Sequence, residues 1–126
     1  MEHIKHINEY FKDAPNVEYT GEYEIGDYVW YEDFKDKSNP NKHEGIFRIQ
    51  KIISTKYNIN PITRKNDDNY VEINNSFFLR RVKGYQIIPK KNDGIIELWS
   101  SEKNMQFISK NKKDLQAYFD MKKYNL

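Results

Sequence analysis

Cysteine is absent from the 126 residues, alanine occurs twice and arginine four times. Without cysteine there can be no disulfide, no thiolate metal site and no cysteine nucleophile. No apolar run approaches the roughly 18 residues of a membrane-spanning helix. Met1-Glu2-His3 does not open a signal peptide. A soluble, cytoplasmic chain with no membrane partner is expected. The five glycines are dispersed and form no phosphate-cradling loop. The six serines, at 38, 54, 76, 100, 101 and 109, lie in no nucleophile elbow. A magnesium nuclease of the restriction type needs an Asp followed by Glu-x-Lys to hold the ion and a general base. Glu72-Ile73-Asn74 and Glu97-Leu98-Trp99 both lack the lysine. His3 and His6 stand one helical turn apart, but His6 projects from the polar side, so these two read as surface residues. The expectation is therefore no metal, no cofactor and no enzymatic activity.

What the chain does contain is large rings. Aromatic residues make up 15%, against 37% hydrophobic residues overall, so apolar area is concentrated in a few big side chains. The length fits a single domain spanning 1–126. Isoleucine (15), lysine (17) and asparagine (14) dominate. Their codons are A/T-rich, which points to a low-GC genome such as that of a bacterium, a phage or a mobile element. Lysine is then weak testimony about function, and the rarer arginine is stronger. Charge is uneven along the chain. Residues 1–44 hold five Lys/Arg against eleven Asp/Glu, and residues 45–126 hold sixteen against eight. The net +2 thus conceals an acidic front and a basic back.

Periodicity divides the chain into three parts. Residues 2–13 carry Ile4, Ile7 and Phe11 on one helical stripe, with Pro15 after the end. From about 17 to 109 the pattern is short strands: Glu22–Ile25, Asp27–Phe34, Gly45–Ser54, Tyr70–Ile73, Phe77–Val82, Tyr85–Ile88, Gly94–Ser100 and Met105–Ile108. Asn74-Asn75-Ser76 and Asn92-Asp93-Gly94 read as hairpin turns. Lys35–Glu44 and Asn58–Asn69 read as long polar loops. Residues 111–124 return to helical period, with Leu115, Tyr118 and Phe119 as the apolar face and Ser109 or Asn111 as N-cap. Lys122 falls on that face, so its stem should cover it while the amine reaches out. The fold class expected is α+β: a small curved antiparallel sheet flanked by an N-terminal and a C-terminal helix.

Ile25-Gly26-Asp27-Tyr28-Val29-Trp30 resembles the opening strand of SH3-like small barrels of the BAH, PWWP, Tudor and KOW kind. There a Gly-Asp turn introduces a strand of alternating aromatic and aliphatic residues. Gly45–Ile52 is similar to their second strand, and Tyr70–Ile73 and Phe77–Val82 to the third and fourth. The resemblance spans about residues 26–88 and implies a partly open barrel. It implies no function, because these folds host many. An aromatic cage for methylated lysine, built from Tyr28, Trp30, Tyr31 and Phe34, would be one use of such a barrel, but core packing accounts better for half of these rings.

Two binding readings follow. The favoured one is a non-enzymatic protein that grips a macromolecular partner, for example a phage or mobile-element inhibitor of a host protein. Its acidic face would be Glu22, Glu24, Asp27, Glu32, Asp33 and Asp36, aimed at a basic site that normally binds nucleic acid. The alternative is direct nucleic-acid binding by Arg80, Arg81, Lys83, Tyr85, Lys90 and Lys91, where cations adjoin aromatics. Side chains alternate along a strand, so Arg80 and Arg81 should point to opposite faces.

Overall fold

The computed structural model describes residues 15–33, 43–86 and 94–125. Among them run strands β1 (Asn16–Val17), β2 (Tyr28–Glu32), β3 (Glu44–Tyr57), β4 (Glu72–Arg81), β5 (Glu97–Ser100) and β6 (Met105–Ser109), then helix α1 (Leu115–Tyr124). Contacts divide these residues into two compact units. The smaller groups residues 15–20 with 53–75, and the larger groups 21–52 with 76–125. The expected helix over 2–13 lies outside the described residues. No helix of the described residues is long and apolar enough to cross a membrane.

The larger unit is built on strands in the order β5-β4-β3-β2-β6. The pairs β2–β3, β2–β6 and β4–β5 are antiparallel. In β2 the sequence YVWYE buries four consecutive residues. Alternation sends Tyr28 and Trp30 to one side and Val29 and Tyr31 to the other, so consecutive burial means that both faces are covered. On the first side Tyr28, Trp30 and Ile46 cluster with Leu115 and Phe119 of α1. Burial of such a Leu or Phe stabilises by about 1.5–3 kcal/mol each, which fastens a helix too short to persist alone. The other side carries Val29, Phe47, Ile49, Phe77 and Leu79, all fully buried. The Tyr31 ring meets Phe47 edge-on at 5.3 Å, and Tyr23 meets Phe77 at 5.4 Å. The three rings Tyr28, Trp30 and Tyr31, considered above for a cage, are core.

The sheet is curled, and chain length requires it. β5 and β6 stand at opposite ends of the strand order, yet only Ser101–Asn104 separate them. A flat sheet would hold these two edges about 19 Å apart, at ~4.8 Å per strand. The link contains a 3-10 turn, Glu102–Asn104, which rises only about 2 Å per residue, so it cannot reach that far. A register shift where Tyr28 and Val29 meet β6 leaves Ile108 as an extra residue, and such bulges sharpen local twist. The curl stops short of closure: among the described residues the strand path has two free ends, so the expected barrel becomes a bent open sheet.

Several expected boundaries move. Asn74-Asn75-Ser76 is not a turn but the middle of β4. Asn75 accepts a hydrogen bond from the Ser54 hydroxyl, which satisfies a polar side chain within the smaller unit. There β1 also pairs with β3, and an Ile59–Asn66 bridge closes the 58–69 loop. Glu22–Ile25 is not a strand. The Asp27 carboxylate accepts the Glu24 N–H at 2.9 Å and Gly26 takes φ +96°, so the chain turns there. Tyr85 likewise follows a turn instead of sitting in a strand. The turn proposed at Asn92-Asp93 lies outside the described residues. In α1, Leu115 and Phe119 are buried and the Lys122 ammonium sits 5.2 Å from the Trp30 ring, as the helical spacing suggested. The helical stretch begins with a 3-10 turn, Lys112–Asp114, approached through Ser109, whose hydroxyl accepts the Asn111 N–H at 3.0 Å.

Gly45 lies hard against a neighbouring backbone. Its φ is +132°, and an added Cβ would stand 2.5 Å from the Tyr85 carbonyl oxygen, which accepts the Ile46 N–H. Gly45→Ala should therefore lower unfolding stability by about 2 kcal/mol or more. Urea denaturation of the two proteins measures this, and an unchanged midpoint would contradict the close approach.

Candidate functional site

Three of the four scarce arginines gather in one place, while Arg64 lies on the 58–69 loop of the smaller unit. Arg48 extends from the centre of β3, and Arg80 and Arg81 end β4. With Lys112, from the turn before α1, they line a shallow cleft of about 260 Å³ whose other walls are Tyr28, Gln50 and Val82. Among the described residues that line it there is no carboxylate. A second hollow of about 340 Å³ continues past Arg80 and Arg81 to Lys83, Gly94 and Ile95. A larger hollow of about 510 Å³ near the end of α1 offers Asp120 against Lys123 and so favours neither charge.

Each cation is held differently. Arg48 lies with its guanidinium 5.3 Å from the Tyr28 ring and donates Nε–H to the Gly26 carbonyl at 3.2 Å. It stands on the side of the sheet that carries α1, because Tyr28 is its cross-strand partner. Arg80 is exposed, with Glu97 directly across on β5. Arg81 is buried and donates from Nη2 to the Gly94 carbonyl at 3.0 Å. The pair differs in exposure as alternation expects, yet both line the cleft because Arg81 is the last residue of β4: Arg80 presents its charge to solvent, and Arg81 braces the wall. Lys83 is exposed in the turn after β4. Tyr85 belongs to the core instead, its ring edge-on to Phe119 at 5.4 Å. Lys90 and Lys91 lie outside the described residues. Arg48, Gln50 and Lys112 were not singled out from sequence as binding residues. The one pointer was the scarcity of arginine, since no spacing along the chain links Arg48 to Arg80.

Two residues of the acidic set are engaged within the fold. Asp27 is buried, and its carboxylate holds the Gly26 turn while pairing with the Lys110 ammonium at 3.0 Å. Glu24 shares that lysine at 3.3 Å. Glu22 is exposed, Glu32 and Asp33 are half-buried, and Asp36 lies outside the described residues. Among the described residues, β2 of the acidic front lies between β3 and β6 of the basic back. Among the described residues no three His, Asp or Glu side chains gather as metal ligands would.

The Asp27–Lys110 pair sets an alkaline limit. The hydrogen bond to Asp27 raises the Lys110 pKa above the usual lysine value, against a smaller opposing effect of dehydration and with Glu24 adding to the rise. Its stabilisation is thus fully present below the unfolded lysine value of about 10.4 and lost as pH climbs through the higher folded one. Burial raises the Tyr31 and Tyr118 phenols too, with Asp33 adding at Tyr31. Because the unfolded chain ionises these phenols first, from about pH 10, they act in the same direction. Stability should fall steeply above about pH 10, and Lys110→Met should be less stable at pH 8 yet decline less steeply beyond. Urea midpoints across a pH series measure both, and equal midpoints at pH 8 would remove the pair from the account. Comparison with family models, with curated proteins and with solved structures returns no match, so the chemistry of the cleft is what speaks for its function.

Proposed function

We propose that this chain is a non-enzymatic nucleic-acid-binding protein that holds phosphates in the arginine cleft. The observation that supports the reading is convergence: three of the four arginines and Lys112 meet at one shallow site, with no carboxylate among its described lining residues. Guanidinium groups match phosphate oxygens in geometry and remain charged at any working pH. An open, shallow site suits a polymer lying across it better than an enclosed small molecule. The acidic protein-binding face has less support, because its central carboxylate, Asp27, is occupied in holding a turn.

Three phosphate contacts would weaken binding roughly 20- to 40-fold between 50 and 200 mM salt. Fluorescence anisotropy with a labelled mixed-sequence oligonucleotide should show that loss. Joint reversal, Arg48→Glu with Arg80→Glu, should cut affinity at 50 mM salt at least about tenfold and flatten the salt dependence. Lys65→Glu, on the loop of the smaller unit, is the control and should change neither. An unaltered double variant would count against the cleft. If the chain bound no oligonucleotide but captured a host protein through Glu22, Glu32 and Asp33 from nuclease-treated lysate, the inhibitor reading would replace this one.

A further inference from the structure

Beside the cleft, on the same side of the sheet, lies an aromatic surface with no part in the core cluster under α1. Phe78 precedes Arg80 by two residues in β4, so the two side chains share a face. Phe78 pairs across to Trp99 and Arg80 to Glu97. The Phe78 and Trp99 rings stand 5.0 Å apart at a 45° tilt, and Trp99 is 50% exposed although it is the largest side chain on that strand. Trp30, the other tryptophan, is only 3% exposed. An exposed indole propped by a second ring, one strand over and two residues along from Arg80, presents flat π-surface near phosphate-binding charge.

From this juxtaposition, and resting on the nucleic-acid reading above, we infer that the ligand is single-stranded, with an unpaired base stacked on Trp99. Duplex nucleic acid hides the faces of its bases and offers Trp99 only edges, whereas a single strand can lay a base on each ring. The charges also orient the strand. Glu97 beside Arg80 repels phosphate on the β5 side, while Arg48 and Lys112 attract it on the far side of Arg80. Phosphates therefore track along Arg48, Arg80 and Lys112, and bases turn toward β5. The span from β3 to β5 is about 10 Å, about the distance from a phosphate to the outer edge of its base.

Intrinsic fluorescence tests this, because Trp99 is the indole that a ligand can reach. The full chain is titrated at 50 mM salt with a twelve-residue oligothymidylate, with a DNA hairpin duplex of equal charge and with heparin. The single strand should quench tryptophan emission and bind at least about tenfold more tightly than the hairpin, and heparin should leave emission unchanged. Trp99→Ala should weaken single-strand binding about tenfold while leaving hairpin and heparin binding intact. Trp99→Phe, followed by anisotropy, should keep most of the affinity, which separates loss of stacking from loss of fold. If single strand and hairpin bind equally, without quenching and unaffected by Trp99→Ala, the stacking inference is overturned while the cleft remains a nucleic-acid site. If neither nucleic acid binds, both readings fall.

Discussion

A short link between the two edges of the sheet governs the larger unit. Ser101–Asn104 must join β5 to β6 across the positions of β4, β3 and β2. A flat arrangement is out of reach, so the sheet bends. Bending brings Val29, Phe47, Ile49, Phe77 and Leu79 together without water between them. The outer side, spread by the same bend, has room for α1 over Tyr28, Trp30 and Ile46 and leaves Arg48, Arg80 and Trp99 exposed. The candidate interface is built on these exposed residues. It begins where Leu115 starts the helix and ends at the β5 edge.

The interface is consequently built from residues of opposite standing. Arg81 and Tyr28 are buried and hold the walls, while Arg48, Arg80, Lys83 and Lys112 are exposed and carry the charge. Buried guanidinium groups need satisfied donors, and the Gly94 carbonyl supplies one acceptor for Arg81. Arg48 keeps its position by lying near the Tyr28 ring and bonding Gly26, so its charge is preoriented. The acidic residues have different work. Asp27 joins the turn before β2 to Lys110 after β6, fixing two neighbouring strands at their ends.

Much of the local structure was legible. The turn at Gly26-Asp27, the strand after it, the edge strand at Met105–Ile108 and the apolar face of the C-terminal helix all follow from short-range pattern, because each depends on residues within a few positions. The break proposed at Asn74-Asn75-Ser76 misled for an informative reason. Asparagine favours turns through its own side chain, but here Asn75 takes its hydrogen bond from Ser54, far away in sequence. The run of acidic residues in the front of the sequence is likewise no guide to strand order. Counting charges along the chain cannot see that β2 is inserted between two strands of the basic half.

The sequence by itself determined the exclusions and the periodicities: no thiol chemistry, aromatic strands of period two, a closing helix, and arginine rare enough to carry meaning. It also determined that Arg80 and Arg81 leave the strand in different directions, since adjacent strand residues face opposite ways, although at the strand end both reach the cleft. Only the tertiary structure decided which of the two would meet solvent, that Arg48 and Lys112 would join it, and that Trp99 would stand exposed beside Phe78. Alternation sorts side chains onto two faces but is blind to what covers each. That choice belongs to strand order and register, which are set by contacts between residues far apart in the chain.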